Sequence, residues 1–245
     1  MKNTEPNWLF LDFDGVLCDS LEECLRSSWL ALSRVAIGPA TPPEPPFDAE
    51  YRRAFLGCRP FVRSGEDYLV LHSLVQQGRG PRSQAEFDLE LGRLGRPALD
   101  GLKTRLYQVR EEMLNRHRSL WLSWNPLFAG IREVLQSLEA HPRAWILSTK
   151  KASFIQEILS YQGIVWPIER IQYSGSESKL GFVESLTNGG PSLLVDDQID
   201  HLNFHHPTCL CALALWGYVD PASSSGAPST VTLVDFPDLV SSWVS

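Results

Sequence analysis

Two aspartates one residue apart, Asp12 and Asp14, stand where the apolar run Trp8, Leu9, Phe10 and Leu11 stops, and Gly15 follows them. At strand spacing their carboxylates point the same way, with Phe13 on the opposite face. Carboxylates so close repel each other. A divalent cation, or a proton on one of them, relieves the repulsion, so the pair reads as a metal site, an acid/base pair or both. The plainer alternative is a strand running into an aspartate-rich turn, which Asp-Gly often marks. Other polar groups carry less. His201, His205 and His206 have a spacing that could present two imidazoles on one helix face as zinc sites do, but no third ligand stands near them in the chain. Cys209 and Cys211 are too close for the usual zinc spacing and read as strand packing.

These groups need elements to hold them. The chain has 245 residues, 43% apolar and 21% charged, enough for one large α/β domain or a core with a smaller companion. Its net charge of -7 and pI near 5.4 argue against nucleic acid or an anionic membrane as partner, while a small anionic substrate stays open because local cations can overcome the global field. Eight scattered tryptophans suit packing better than stacking on bases. No run of about 18 apolar residues occurs and the N-terminal MKNTEPN has no signal-peptide pattern, so the expectation is a soluble, cytoplasmic protein. Five cysteines, odd in number and mostly in apolar surroundings, are expected reduced.

Periodicity divides the chain. After the first strand, helical patterns run over Leu21–Val35, Asp48–Leu56, Glu66–Gln77, Ser83–Leu94 and Ala98–Arg116, with no strand-like alternation between them. A proline cluster, Pro39–Pro46, and the glycine-bounded stretch Gly57–Gly65 interrupt them. An α/β rhythm then begins: helix Ile131–Ala140, strand Arg143–Leu147, helix Ser153–Gln162, a short strand near Ile168–Gln172, helix Glu177–Leu186, strand Ser192–Val195, and apolar runs Cys209–Trp216 and Val231–Val234. The Ser/Pro/Gly-rich stretch Pro221–Thr230 reads as a loop. The fold class expected is α/β, a Rossmann-like, mostly parallel sheet with helices on both faces. Residues 1–20 and 121–245 form this core and 21–120 an inserted α-helical domain.

The motifs at the strand ends sharpen this. Residues 12–20, D-F-D-G-V-L-C-D-S, resemble the first motif of the haloacid dehalogenase superfamily in its phosphatase branch, D-x-D-G-x-[LI]-x-D-[ST], at every defined position. Ala144 to Ser148 resembles the second, an apolar strand ending in Ser or Thr; Lys179 the third, a lysine before a helix; and Leu193 to Asp197 the fourth, an apolar strand ending in paired acids. The four come in the family's order, with room for a helical cap after the first.

The resemblance implies a Mg²⁺-dependent phosphohydrolase acting on a small phosphorylated metabolite. Asp12 would be the nucleophile, Asp14 the general acid and base, and Ser148, Thr149 and Lys179 the phosphoryl-binding groups. Magnesium would lie on the Asp12 carboxylate, the Asp14 main-chain carbonyl and Asp197, with Asp196 beside them. Lys150, just past the second motif, competes with Lys179 as the phosphate lysine. One departure stands out: the position four after Asp197, often acidic in relatives, is His201, whereas Asp200 lies four after Asp196. The direct metal acid is therefore open among Asp196, Asp197 and Asp200, with Asp197 favoured. An acid at position 14 points to phosphate monoesters rather than halides or phosphonates. A mutase of the β-phosphoglucomutase kind keeps both acids, but its histidine after the first motif is absent from residues 19–32. A catalytically idle binding protein is the reading from another class. In the inserted domain, Arg59 and Arg63 are candidate substrate-binding residues, on a loop suited to an anionic ligand.

Overall fold

Strand β1, Trp8–Leu11, is the central strand of a sheet and is buried on both faces, which is why its sequence is continuously apolar. The structure, a computed structural model, describes residues 7–175, 177–220, 224, 227 and 229–244. Residues 1–6 and most of the loop expected over 221–230 lie outside the described residues. The chain divides into two compact units, Met1–Asp19 with Pro126–Ser245, and Ser20–Asn125.

The second unit is all helix: α1 (Leu21–Ser33), α2 (Ala49–Cys58), α3 (Gly65–Gln76), α4 (Gln84–Leu94), α5 (Arg96–Arg116) and α6 (Arg118–Ser123). Side-chain caps fix several of the starts. Asp48 accepts from the Tyr51 N–H, Ser83 from the Glu86 N–H, and Ser64 with Asp67 forms a capping box on α3. Helix α1 packs against α3 and α5. A core of Leu25, Phe55, Tyr68, Leu71 and Phe87 holds the unit together. Helix α2 runs on through Gly57 to Cys58, and a 3₁₀ turn, Arg59–Phe61, follows. Helix α6 was not expected from the sequence, being too short to show a period.

The first unit resumes with α7 (Ile131–Leu138), β2 (Ala144–Ser148), α8 (Ala152–Tyr161), β3 (Ile171–Tyr173), α9 (Lys179–Thr187), β4 (Ser192–Asp196), β5 (Cys209–Ala214), β6 (Thr230–Val231) and α10 (Phe236–Val244). The sheet order is β3-β2-β1-β4-β5-β6 and every pairing is parallel. Phe10, Leu147, Leu194, Cys209 and Cys211 form one cluster with Val183 of α9, while α10 packs against α7 and β1. All five cysteines are free and buried. The strand expected near Ile168 begins late because a 3₁₀ turn, Ile168–Arg170, takes its first residues. No helix among the described residues is long and apolar enough to cross a membrane.

Strand order reverses at β1. The chain moves from β1 outward to β2 and β3, then returns to place β4 on the other side of β1. Such a switch point opens a crevice at the carboxyl ends of the two strands, and Asp12 and Asp196 stand there.

Candidate active site

Asp12 is still anchored to the sheet, its N–H donating to the Val195 carbonyl at 2.9 Å. Beyond it the chain turns sharply. Gly15 N–H bonds the Cys18 carbonyl, and the Leu17 and Cys18 N–H groups both bond the Phe13 carbonyl. Gly15 has φ +88°, and a Cβ there would overlap the Asp197 carboxylate. Gly217 closes the other side, where a Cβ would strike Asp197 and the Gly15 carbonyl oxygen. The Tyr218 N–H then donates to Asp197 Oδ2 at 2.8 Å, and its hydroxyl donates to Asp19 Oδ1 at 2.7 Å. Two glycines and a tyrosine thus seat Asp197 against the first loop.

Lys179 reaches the same place from the first turn of α9, whose start Ser178 caps through the Gly181 N–H. Its Nζ lies 2.8 Å from Asp12 Oδ1 and 2.7 Å from Asp196 Oδ2. Lys150 pairs instead with Asp14 Oδ1, at 2.8 Å, with its ammonium over the Phe13 ring. Both lysines are 2% exposed; the Lys179 pair is buried on both sides, whereas Asp14 opposite Lys150 is partly exposed. Asp196 has both oxygens engaged: Oδ1 accepts from the Gln198 N–H at 2.9 Å, and Oδ2 accepts from Lys179 and from His201 Nδ1 at 3.0 Å.

Asp12, Asp14, Asp196 and Asp197 gather with Lys150 and Lys179, four carboxyl groups to two ammonium groups. Burial pushes the Asp12 carboxyl up; Lys179 pulls it back only in part, and Asp196 pushes it further up. Burial would also raise Asp196, but the Lys179 ammonium and His201 hold it well below the usual carboxylate range. Burial disfavours the Lys179 ammonium, yet Asp12 and Asp196 hold its pKa above the ordinary lysine value. Asp12, Asp196 and Asp197, all buried, each offer an oxygen within 4.8 Å of the others. An all-oxygen donor set of buried carboxylates fits a hard divalent cation such as Mg²⁺.

Ser148 is buried at the end of β2, its Oγ accepting from the Lys150 N–H at 3.3 Å, and Thr149 beside it is half-buried. Asp200 is exposed and stands outside the carboxylate group. The two arginines of the helical unit differ. Arg59 is buried, donating to the Val62 carbonyl and lying over the Tyr68 ring. Arg63 is partly exposed and pairs with Asp88 at 2.7 Å. The histidines do not share a helix face: His201 sits on a 3₁₀ turn, Ile199–His201, and His206 bonds Glu184. Gly217 and Tyr218 were not singled out in the sequence; the one signal was a Gly-Tyr pair just past β5.

No protein-family model matches the chain, and no curated protein does. Solved structures do. A haloacid dehalogenase-like family hydrolase from Streptococcus pneumoniae is 14% identical, with 99% of this chain and 100% of that one covered at a TM-score of 0.56. A predicted phosphoglycolate phosphatase from Haemophilus somnus is 17% identical, with 98% of each chain covered at 0.58. A hydrolase from Pseudomonas syringae is 15% identical, with 98% and 100% covered at 0.56. At identities this low the likeness shows the fold alone, which this chain shares with these structures over nearly its whole length.

Proposed function

We propose that this chain is a divalent-metal-dependent phosphohydrolase of the haloacid dehalogenase type, acting on a small phosphate monoester. The observation that carries the reading is Asp12 itself: a buried carboxylate at the switch point, 2.8 Å from Lys179 and grouped with Asp196 and Asp197. Asp12, the Asp14 main-chain carbonyl and Asp197 would hold the metal, Mg²⁺ in this reading. When bound, it offsets the repulsion between an anionic substrate and the carboxylates.

Asp12 attacks phosphorus in line, forming the aspartyl-phosphate as the bond to the leaving oxygen breaks. Asp14 gives that oxygen a proton, then takes one from the water that cleaves the acyl-phosphate and restores Asp12. Ser148, Thr149 and Lys179 receive the phosphoryl oxygens. The ion-pair geometry supports a division between the lysines, Lys179 with the nucleophile and Lys150 with the acid/base group. Asp196, with both oxygens already engaged, serves as the anchor of Lys179.

The test is hydrolysis of p-nitrophenyl phosphate with Mg²⁺, followed by a panel of phosphorylated metabolites scored by release of inorganic phosphate. Turnover that persists in excess EDTA rejects the metal, and no turnover on any substrate returns the chain to the idle binding protein. Of the two arginines, Arg63 is retained as a substrate contact because Arg59 is buried against its own turn. Arg63→Ala should lower kcat/KM for the best metabolite and leave p-nitrophenyl phosphate nearly unchanged.

A further inference from the structure

His201 stands at the outer end of a chain of contacts that reaches Asp12. His201 Nδ1 lies 3.0 Å from Asp196 Oδ2, that oxygen 2.7 Å from Lys179 Nζ, and the same ammonium 2.8 Å from Asp12 Oδ1. A carboxylate oxygen can only accept, so the imidazole donates from Nδ1. With Gln198 N–H on Oδ1, the carboxylate of Asp196 is tied on both sides and cannot turn about its χ2 torsion. An acid at 201 would add a negative charge here and offer no donor when ionised; a histidine adds a donor and no negative charge.

We propose that His201 is a positioning residue: by fixing Asp196 it holds Lys179 against the candidate nucleophile Asp12. Its part in turnover rests on the phosphohydrolase reading, but the positioning itself does not. The anchor role leaves Asp197 as the direct metal acid.

The test compares His201→Asn, whose Nδ2 stands close to where the imidazole Nδ1 was, with His201→Leu, which fills the space without a donor. The first readout needs no activity. The Lys179 ammonium, buried and bonded to two carboxylates, should give a protected ¹H–¹⁵N signal in the full chain, assigned by its loss in Lys179→Arg. In His201→Leu that signal should shift and broaden, and His201→Asn should restore it. In parallel, kcat on p-nitrophenyl phosphate should fall about 10–100-fold in His201→Leu with KM little changed, and recover in His201→Asn. Mg²⁺ affinity by calorimetry should hold in both. A lysine signal in His201→Leu like that of the wild type overturns the proposal. Equal loss in both variants, with lowered thermal midpoints, overturns it too and makes His201 a turn residue. A Mg²⁺ affinity that falls in His201→Leu overturns the anchor role by placing Asp196 on the metal. A wild type without turnover rejects the phosphohydrolase reading, while the lysine signal still decides the positioning.

Discussion

In the helical unit, Glu23 and Arg110 meet in a dry core through two hydrogen bonds of 2.8 and 2.7 Å, and Trp121 Nε1 donates to the same carboxylate at 3.2 Å. Each charge there has its counter-charge. In the α/β unit, four carboxyl groups gather around two lysines. Both units bury charge against the same desolvation penalty, but the Glu23–Arg110 site does so as a matched pair. A matched pair holds helices in place. A cluster rich in carboxyl groups is relieved by a proton or by a cation, and the proposed metal would supply the latter.

Removing one charge should therefore act in opposite directions in the two places. Asp12→Asn relieves repulsion and keeps shape, so the thermal midpoint should hold or rise while turnover falls about 10³-fold or more. Retained activity would sink the mechanism, and a large drop in midpoint would erase the contrast between the units.

A cation can also be added. Mg²⁺ binding the folded state alone stabilises by about 2.7 kcal/mol at 100 times its dissociation constant, so the midpoint should climb with Mg²⁺ and fall back with EDTA. Ca²⁺, larger and tolerant of more ligands, should raise the midpoint yet inhibit turnover by drawing Asp12 into bidentate binding. Asp197→Ala should abolish the Mg²⁺ shift and activity together; a shift that survives in that variant moves the ion elsewhere.

Much of this contrast was legible in the chain, for a local reason. Asp12, Ser148, Lys179, Asp196 and Asp197 each sit where an apolar run stops or a helix starts, so short-range pattern reports them, and the strand ends deliver them to one edge. What was not legible is which way side chains turn. Glycines flagged the stretch around Arg59 as a break in the helices, but only packing on Tyr68 shows that its guanidinium faces inward. Tyr218 reaches Asp19 across 199 positions, and no periodicity connects residues that far apart. Helix α10, with only Phe236 and Val240 buried, has too narrow an apolar stripe to stand out.

The matched side of the comparison can be broken at Arg110. Arg110→Met leaves Glu23 buried without its counter-charge and should cost about 3–5 kcal/mol in denaturant unfolding. Glu23→Leu added to it should recover most of that loss, since the pair's value lies in each charge satisfying the other. A double variant as unstable as the single one would mean that the Trp121 contact with Glu23, not charge matching, holds the unit.

The smallest effects come from two buried groups of α3 that titrate against each other. His72, stacked among Phe47, Tyr51 and Phe55 and bonded to Tyr51 and the Leu25 carbonyl, is held neutral: burial lowers its pKa to about 4. The unfolded chain takes up that proton near pH 6.5, so the stability His72 contributes is present above that value and lost as pH falls through 4. Asp67 runs the other way. Burial raises its carboxyl to about 6, despite the Arg63 and Ser64 N–H groups it accepts from, so its contribution is present below pH 3.8 and lost as pH rises through 6. Between pH 4 and 6 the two slopes oppose, and stability of the helical unit should change little with pH there. His72→Gln keeps polar contacts without the titration and should expose the Asp67 slope, stability rising on acidification. Asp67→Asn should expose the His72 slope, stability falling. Denaturant midpoints measured across that window in wild type and both variants decide it: slopes of the same sign in the two variants would show that α3 carries no opposed pair.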